Sequence, residues 1–223
     1  MIDFIPASEL KKAFDVYGHF YDLKLDKSIF ECRSVLEIKR KNKSNIIPDI
    51  VVVMMNPGSS RPLDKEYIPK KISPLEYNDT KTKEIIPTRP DNAQYQIMRL
   101  MEINNWNFVR ILNLSDLRNG NSGKFQLEFI KAMRLDGSNP HCITHINRRN
   151  ELLESTVSKN KKIIAAWGDI AELKKSAETI LKLDKKIIGL KKGKLPNFRY
   201  ASPYMKKQKI DWLINIQKEI INN

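Results

Sequence analysis

The residues best equipped for chemistry lie in four short polar loops. Asn56-Pro57-Gly58-Ser59-Ser60 joins an amide, a glycine that lets a ligand come close to the backbone, and two hydroxyls beside backbone N–H groups. A turn of that kind can cradle a phosphate or another anion. It is not a Walker loop, because no Gly-Lys-Ser/Thr follows, and it is not a dinucleotide fingerprint, because the three spaced glycines are missing. The other loops are Asn113-Leu114-Ser115-Asp116, Trp167-Gly168-Asp169 and Tyr200-Ala201-Ser202-Pro203-Tyr204. Any one of them alone reads as a turn. All of them on one edge of a sheet would make a cleft.

The elements around the loops favour that convergence. Asp49–Met55 is continuously apolar and β-branched, the pattern of a strand buried on both faces. Phe108–Leu114 and Lys162–Trp167 read the same way, and Ile187–Leu190 and Phe198–Ala201 are shorter candidates. Helices are expected after Ser8 (Leu10, Ala13, Phe14 and Tyr17 forming its stripe), from the capping box Asp91/Gln94, over Phe125–Arg134 and Ile146–Val157, after Asp169, and over Ile210–Ile221. Ile29–Lys39 reads as one or two exposed strands, and Arg61–Pro90, with five prolines, as a long loop. The expected fold is a single α/β domain over residues 1–223. It would be a three-layer sandwich around a mostly parallel central sheet of about four strands, with residues 1–48 as an N-terminal extension. Ligands gather outside the carboxyl ends of such strands, where the polar loops fall.

Composition narrows the partner. The formal charge is +14, with 40 Lys and Arg against 26 Asp and Glu. A surplus of that size attracts polyanions and speeds their capture, so nucleic acid is the expected partner. An AT-biased genome accounts for Lys in place of Arg, but not for the shortage of acids. Two cysteines, Cys32 and Cys142, exclude a four-cysteine cluster or zinc ribbon built by this chain alone and fit a reducing compartment. No signal peptide or membrane span is read, so a soluble, cytoplasmic monomer without a cofactor is expected.

Taken in order, the motifs resemble a known family. Val51–Ser60, VVVMMNPGSS, resembles the first motif of the uracil-DNA glycosylase superfamily, closest to its mismatch-specific, thymine-DNA glycosylase-like branch. Asp91-Asn92-Ala93-Gln94-Tyr95 is similar to the helix start of that branch with one residue extra, and Ile163–Gly168 to its apolar strand ending in glycine. Asn113 stands where relatives place an asparagine that reads the pyrimidine, and Tyr200–Tyr204 resembles the His/Asn-Pro-Ser motif with its intercalating loop. The likeness spans roughly residues 50–215 and departs at Tyr200 and Ala201, where the family has His or Asn and then Pro. MMNPGSS, NLSD and AAWG are also similar to a family of uncharacterised bacterial domains.

The resemblance implies a monofunctional DNA glycosylase that hydrolyses the N-glycosidic bond of an extruded pyrimidine. Asn56 would position the water and Tyr200 assist the departing base. Gly58, Ser59 and Asn113 would hold that base, with Tyr77 or Tyr67 stacking on it. Ser60, Ser202, Tyr204, Lys206 and Lys207 would contact DNA. Gly58, where uracil-specific members carry tyrosine, would leave room for a C5 substituent, so a mismatched or C5-modified base is expected, in repair or in defence against phage with modified DNA. Two alternatives stand beside this one. The first is a non-catalytic nucleic-acid binder on the same fold. The second is a nucleotide- or phosphoester-processing enzyme using a metal on Asp64, Asp79 or Asp116. His141 and His145, four apart, are read as solvated or DNA-facing rather than as metal ligands, Arg148-Arg149 as wet surface, and the three tryptophans as core.

Overall fold

In the computed structural model, which describes residues 3–76, 83–169, 171–183 and 185–222, the first departure from expectation comes at Phe14. Helix α1 (Ala7–Ala13) stops there, and Phe14 and Tyr17 belong instead to strand β1 (Phe14–Leu25). Phe14 and Val16 are buried on alternate positions, the two-residue period of a strand. β1 turns tightly into β2 (Ser28–Arg40), Leu25 pairing with Ser28 and Asp26 taking a left-handed φ of 52° that a short polar side chain tolerates. The pairing partner decides the matter. A helix ending at Tyr17 would leave the long apolar face of β2 without a neighbour.

The hairpin is no extension. β2 pairs antiparallel with β7 (Phe108–Asn113), which pairs parallel with β3 (Ile50–Met54), β3 with β8 (Lys162–Ala166), and β8 with β9 (Lys186–Ile188). On the other side, β6 (Ile86–Arg89) and β5 (Lys70–Ile72) pair with β1, and β4 (Arg61–Pro62) pairs with β6. The expected sheet of four mostly parallel strands is therefore corrected. The described residues form a nine-stranded mixed sheet in the order β4-β6-β1-β2-β7-β3-β8-β9, with β5 on β1, and antiparallel pairs predominate among its residues. The four apolar runs do pair in parallel at one end. β2 falls on the Ile29–Lys39 stretch read as strand, although it is largely buried rather than exposed, whereas β1 and the strands of the proline-rich segment are not foreseen because they alternate or are very short. Phe198 makes only isolated bridges, to Gly168 and Lys191, rather than a strand.

Helices cover both faces. Val51 and Val53 of β3 enter a core with Phe125 and Phe129 of α3 (Ser122–Leu135), Leu152 of α4 (Arg149–Ser155) and Ile180 of α5 (Lys174–Leu181). Ile50, Val52 and Met54 enter a second core with α1, with Ile97 and Leu100 of α2 (Asn92–Asn104), and with Trp212 and Leu213 of α6 (Lys206–Asn222). Alternate residues facing opposite cores explain why β3 is apolar throughout. The Asp91/Gln94 capping box forms as read, with both reciprocal hydrogen bonds present. Among the described residues no helix is long and apolar enough to cross a membrane.

Candidate functional site

β3 and β7 end in register, Met54 opposite Asn113, which brings the first two polar loops side by side. The Asn113 amide is fully buried. Its nitrogen donates to the Asn56 backbone carbonyl at 3.0 Å and its oxygen accepts from Arg33 Nη2 at 3.3 Å. The expected base-reading role is thus corrected: the Asn113 side chain is sealed and ties two strand ends and a buried cation together. Asn56 is half-buried, and its Nδ2 donates to the carbonyls of Asn119 at 2.7 Å and Leu117 at 3.4 Å. These two bonds orient the amide. Its Oδ1 has no donor among the described residues.

Arg33 is the residue that sequence reasoning missed. The β1–β2 register shifts between His19 and Phe20, with Val35 opposite His19 and Arg33 opposite Phe20, so Ser34 is the extra residue of a β-bulge. Both Arg33 and Ser34 are buried completely. Arg33 Nη1 donates to the Pro57 carbonyl at 3.4 Å, while its Nε is buried without a partner. Burial pulls the guanidinium's titration down to about 10, opposed by the nearby Asp91 charge. The only trace in the sequence was an arginine and a serine side by side where alternation would expose one of them.

Asp91 caps α2 and also reaches the Asn56 loop, its Oδ2 accepting from the Ser59 N–H at 3.2 Å. Gly58 adopts φ +65°, and a Cβ there would collide with the Asp91 carboxylate. The space beside Gly58 is therefore filled by Asp91, not left for a C5 substituent, and the Ser59 N–H expected to meet a departing base is already engaged. Burial raises the Asp91 carboxyl, and Arg33 moderates the rise. The Tyr200 phenol is pushed well above its usual value, chiefly by desolvation and then by the Asp91 charge. The Asp91 and Arg33 charges thus both act on Tyr200, in opposite directions.

The remaining residues divide. The Ser60 hydroxyl is fully buried without a partner and does not reach a phosphate, which corrects that expectation. Ser202 is half-buried, with its Oγ sealed and unpartnered. Tyr204 is 98% exposed, and Lys206 and Lys207 are exposed on the first turn of α6. Tyr77 lies outside the described residues, as does Asp79, while Tyr67 is half-buried beside a larger cleft. A cavity of about 530 Å³ borders Gly58, Ser59, Phe30, Arg118 and Asn119, the last being the residue that holds the Asn56 amide. A second cavity, of about 770 Å³, lies between Tyr200, Pro203, Lys191, Lys192 and Arg199.

The second loop turns inward. Asp116 is fully buried, ion-paired to Arg148 at 2.8 Å and accepting from Tyr21 Oη at 2.7 Å. Arg148 also pairs with Glu151, which binds Lys83. Although burial opposes it, Arg148 and Lys83 hold the Glu151 carboxyl down to about 2. Ser115 Oγ lies 3.0 Å from His141 Nδ1, and His19 Nδ1 lies 2.8 Å from Ser34 Oγ. His141 and Arg148, expected at the surface, are thus core residues, 0% and 1% exposed. Among the described residues no three His, Cys, Asp or Glu side chains converge as a metal site. Comparison with protein-family models, curated proteins and solved structures finds no match for this chain.

Proposed function

We propose that this protein is a DNA glycosylase acting on an extruded pyrimidine, with Asn56 as the residue that positions water. One observation carries the reading. The Asn56 nitrogen is committed to the backbone carbonyls of Leu117 and Asn119, which fixes the amide and leaves Oδ1 as its acceptor, and Asn119 lines a cavity of about 530 Å³ together with Gly58 and Ser59 of the Asn56 loop. That volume lies within the roughly 300–1,000 Å³ of small-molecule sites. It exceeds the needs of a bare pyrimidine, and this, rather than Gly58, argues for a base bearing a C5 substituent. Phe30 and the Asn119 backbone are the base's neighbours, and Asn113 supports the loop from below. Exposed Tyr204 with Lys206 and Lys207 supplies the stacking ring and phosphate contacts that hold a distorted duplex.

Labelled oligonucleotides carrying uracil, a G·T mismatch or modified cytosines test the proposal. An alkali-labile abasic site should form with wild-type protein, and about 10²-fold more slowly with Asn56→Ala, the usual cost of a misplaced reactant. Failure on every substrate would overturn it. A second reading, binding without catalysis, is favoured by the engagement of Ser59 and Asn113 within the protein. It is marked by salt-sensitive binding that leaves every strand intact.

A further inference from the structure

Arg61 on β4 and Arg89 on β6 stand directly opposite each other in an antiparallel pair, both exposed. Like charges in that register repel and destabilise the sheet. Among the described residues neither has a carboxylate partner within ion-pair distance. Arg118 lies close by, half-buried and aimed by its bonds to the Ser60 carbonyl at 2.9 Å and Glu31 at 3.0 Å. All three arginines line one cleft of about 1210 Å³, and Tyr67 lines it too. The cleft is larger than the roughly 300–1,000 Å³ of small-molecule sites and has room for a chain segment. Its walls are mixed in charge: Asp15, Asp22, Glu31 and Asp64 also face it. Lys11 and Lys65 line it as well, Glu31 is held by Arg118 and Asp15 by Lys41, and Arg61 and Arg89 stand opposite each other with no carboxylate in ion-pair range among the described residues.

The cleft adjoins the candidate base cavity: Ile29, Glu31 and Arg118 stand in the wall of both, so a strand leaving Gly58 and Ser59 would pass Arg118 on its path to the opposed arginines. We propose that this path is a single-strand binding groove, in which Arg61, Arg89 and Arg118 hold successive phosphates and Tyr67 stacks on a base. An incoming phosphate between Arg61 and Arg89 removes the repulsion that the free protein carries. Paired guanidiniums and an aromatic ring are the elements that bind single strands without regard to sequence. The inference deepens the proposed function by naming the strand that leads away from the extruded base, and it rests on that reading only in taking nucleic acid as the ligand.

Fluorescence anisotropy with a labelled oligothymidylate and a blunt duplex, at several salt concentrations, tests it. Arg61→Ala/Arg89→Ala should bind the single strand at least tenfold more weakly. The slope of log affinity against log salt should shrink by about 1.4, two contacts at roughly 0.7 each. Tyr67→Ala should lose affinity by about tenfold with the slope unchanged, since stacking releases no counterions. The arginine variant should melt at or above the wild-type temperature, because it removes a repulsive pair, and the single variant Arg61→Gln reports one contact if it does not. An unchanged affinity and slope in a folded variant would overturn the groove. If no base is excised by the wild-type protein while the arginine variant still loses affinity and slope, the groove stands and the glycosylase reading falls.

Discussion

The amide nitrogen of Asn113 donates to the backbone carbonyl of Asn56 across the ends of two adjacent parallel strands, at 3.0 Å. Through that bond, and through Arg33 on the other end of the same amide, the hairpin, the second core strand and the Asn56 loop are held as one unit. The loop's geometry therefore depends on residues that touch no solvent.

Asn113→Ala tests that dependence. It removes the partner of a buried guanidinium and of a buried carbonyl, and each such loss costs about 1–3 kcal/mol. The urea midpoint should fall accordingly, and under the proposed function any loss of DNA binding should follow from the loosened loop, so that Asn113→Asp and Asn113→Ala differ in stability more than in substrate choice.

Gly58→Ala should be destabilising by more than about 1 kcal/mol, because its φ of +65° is strained for any other residue and a Cβ meets Asp91. Asp91→Ala should cost about 0.5–2 kcal/mol from the lost cap of α2. In the double variant the collision is absent, so the two costs should sum to more than the double variant shows. A strictly additive cycle would mean that the two residues do not meet.

Acid should unfold this protein through its histidines before its carboxylates. Burial holds His141 down to about 3 and, helped by Lys83, His19 down to about 4, from 6.5 in the unfolded chain. Between those values and 6.5 the unfolded state binds more protons, so stability rises with pH there and is lost as pH falls below 6.5. Each histidine contributes up to about 1.4 kcal/mol per pH unit. Glu151 adds a further loss between 4.5 and about 2. Melting temperature measured from pH 7 down to 4.5 should fall steadily, and His141→Asn should flatten the slope.

Tyr204→Ala should leave stability within about 0.5 kcal/mol, since the ring is 98% exposed, and the proposed function requires that it weaken duplex binding by roughly tenfold. Equal binding by wild type and variant, measured by anisotropy, would remove Tyr204 from the interface.

Much was legible without coordinates. The strands ending at Met54, Asn113 and Ala166 announce themselves by unbroken β-branched runs, and the start of α2 by its reciprocal cap. These are local signals, set by side-chain periodicity and by hydrogen bonds within one turn. β2 was legible as strand over Ile29–Lys39, but β1 was not, because Leu10, Ala13, Phe14 and Tyr17 satisfy a helical stripe as well as the strand that Phe14 and Tyr17 join. Only pairing with β2 and β6 chooses between the two periods.

The site follows the same division. That Asn56, Gly58 and Ser59 sit at the carboxyl end of a buried strand is written in the order of residues, because a run that is apolar on both faces must lie mid-sheet and must end at its first polar turn. That Gly58 meets Asp91, that Asn113 is a brace, that His141 and Arg148 are interior, and that Arg33 lies beneath the loop were all decided by packing between segments far apart in the chain. Hydrophobic pattern specifies which faces are buried. It leaves open which polar partners will satisfy one another once buried, and that choice is made only when the strands come into register.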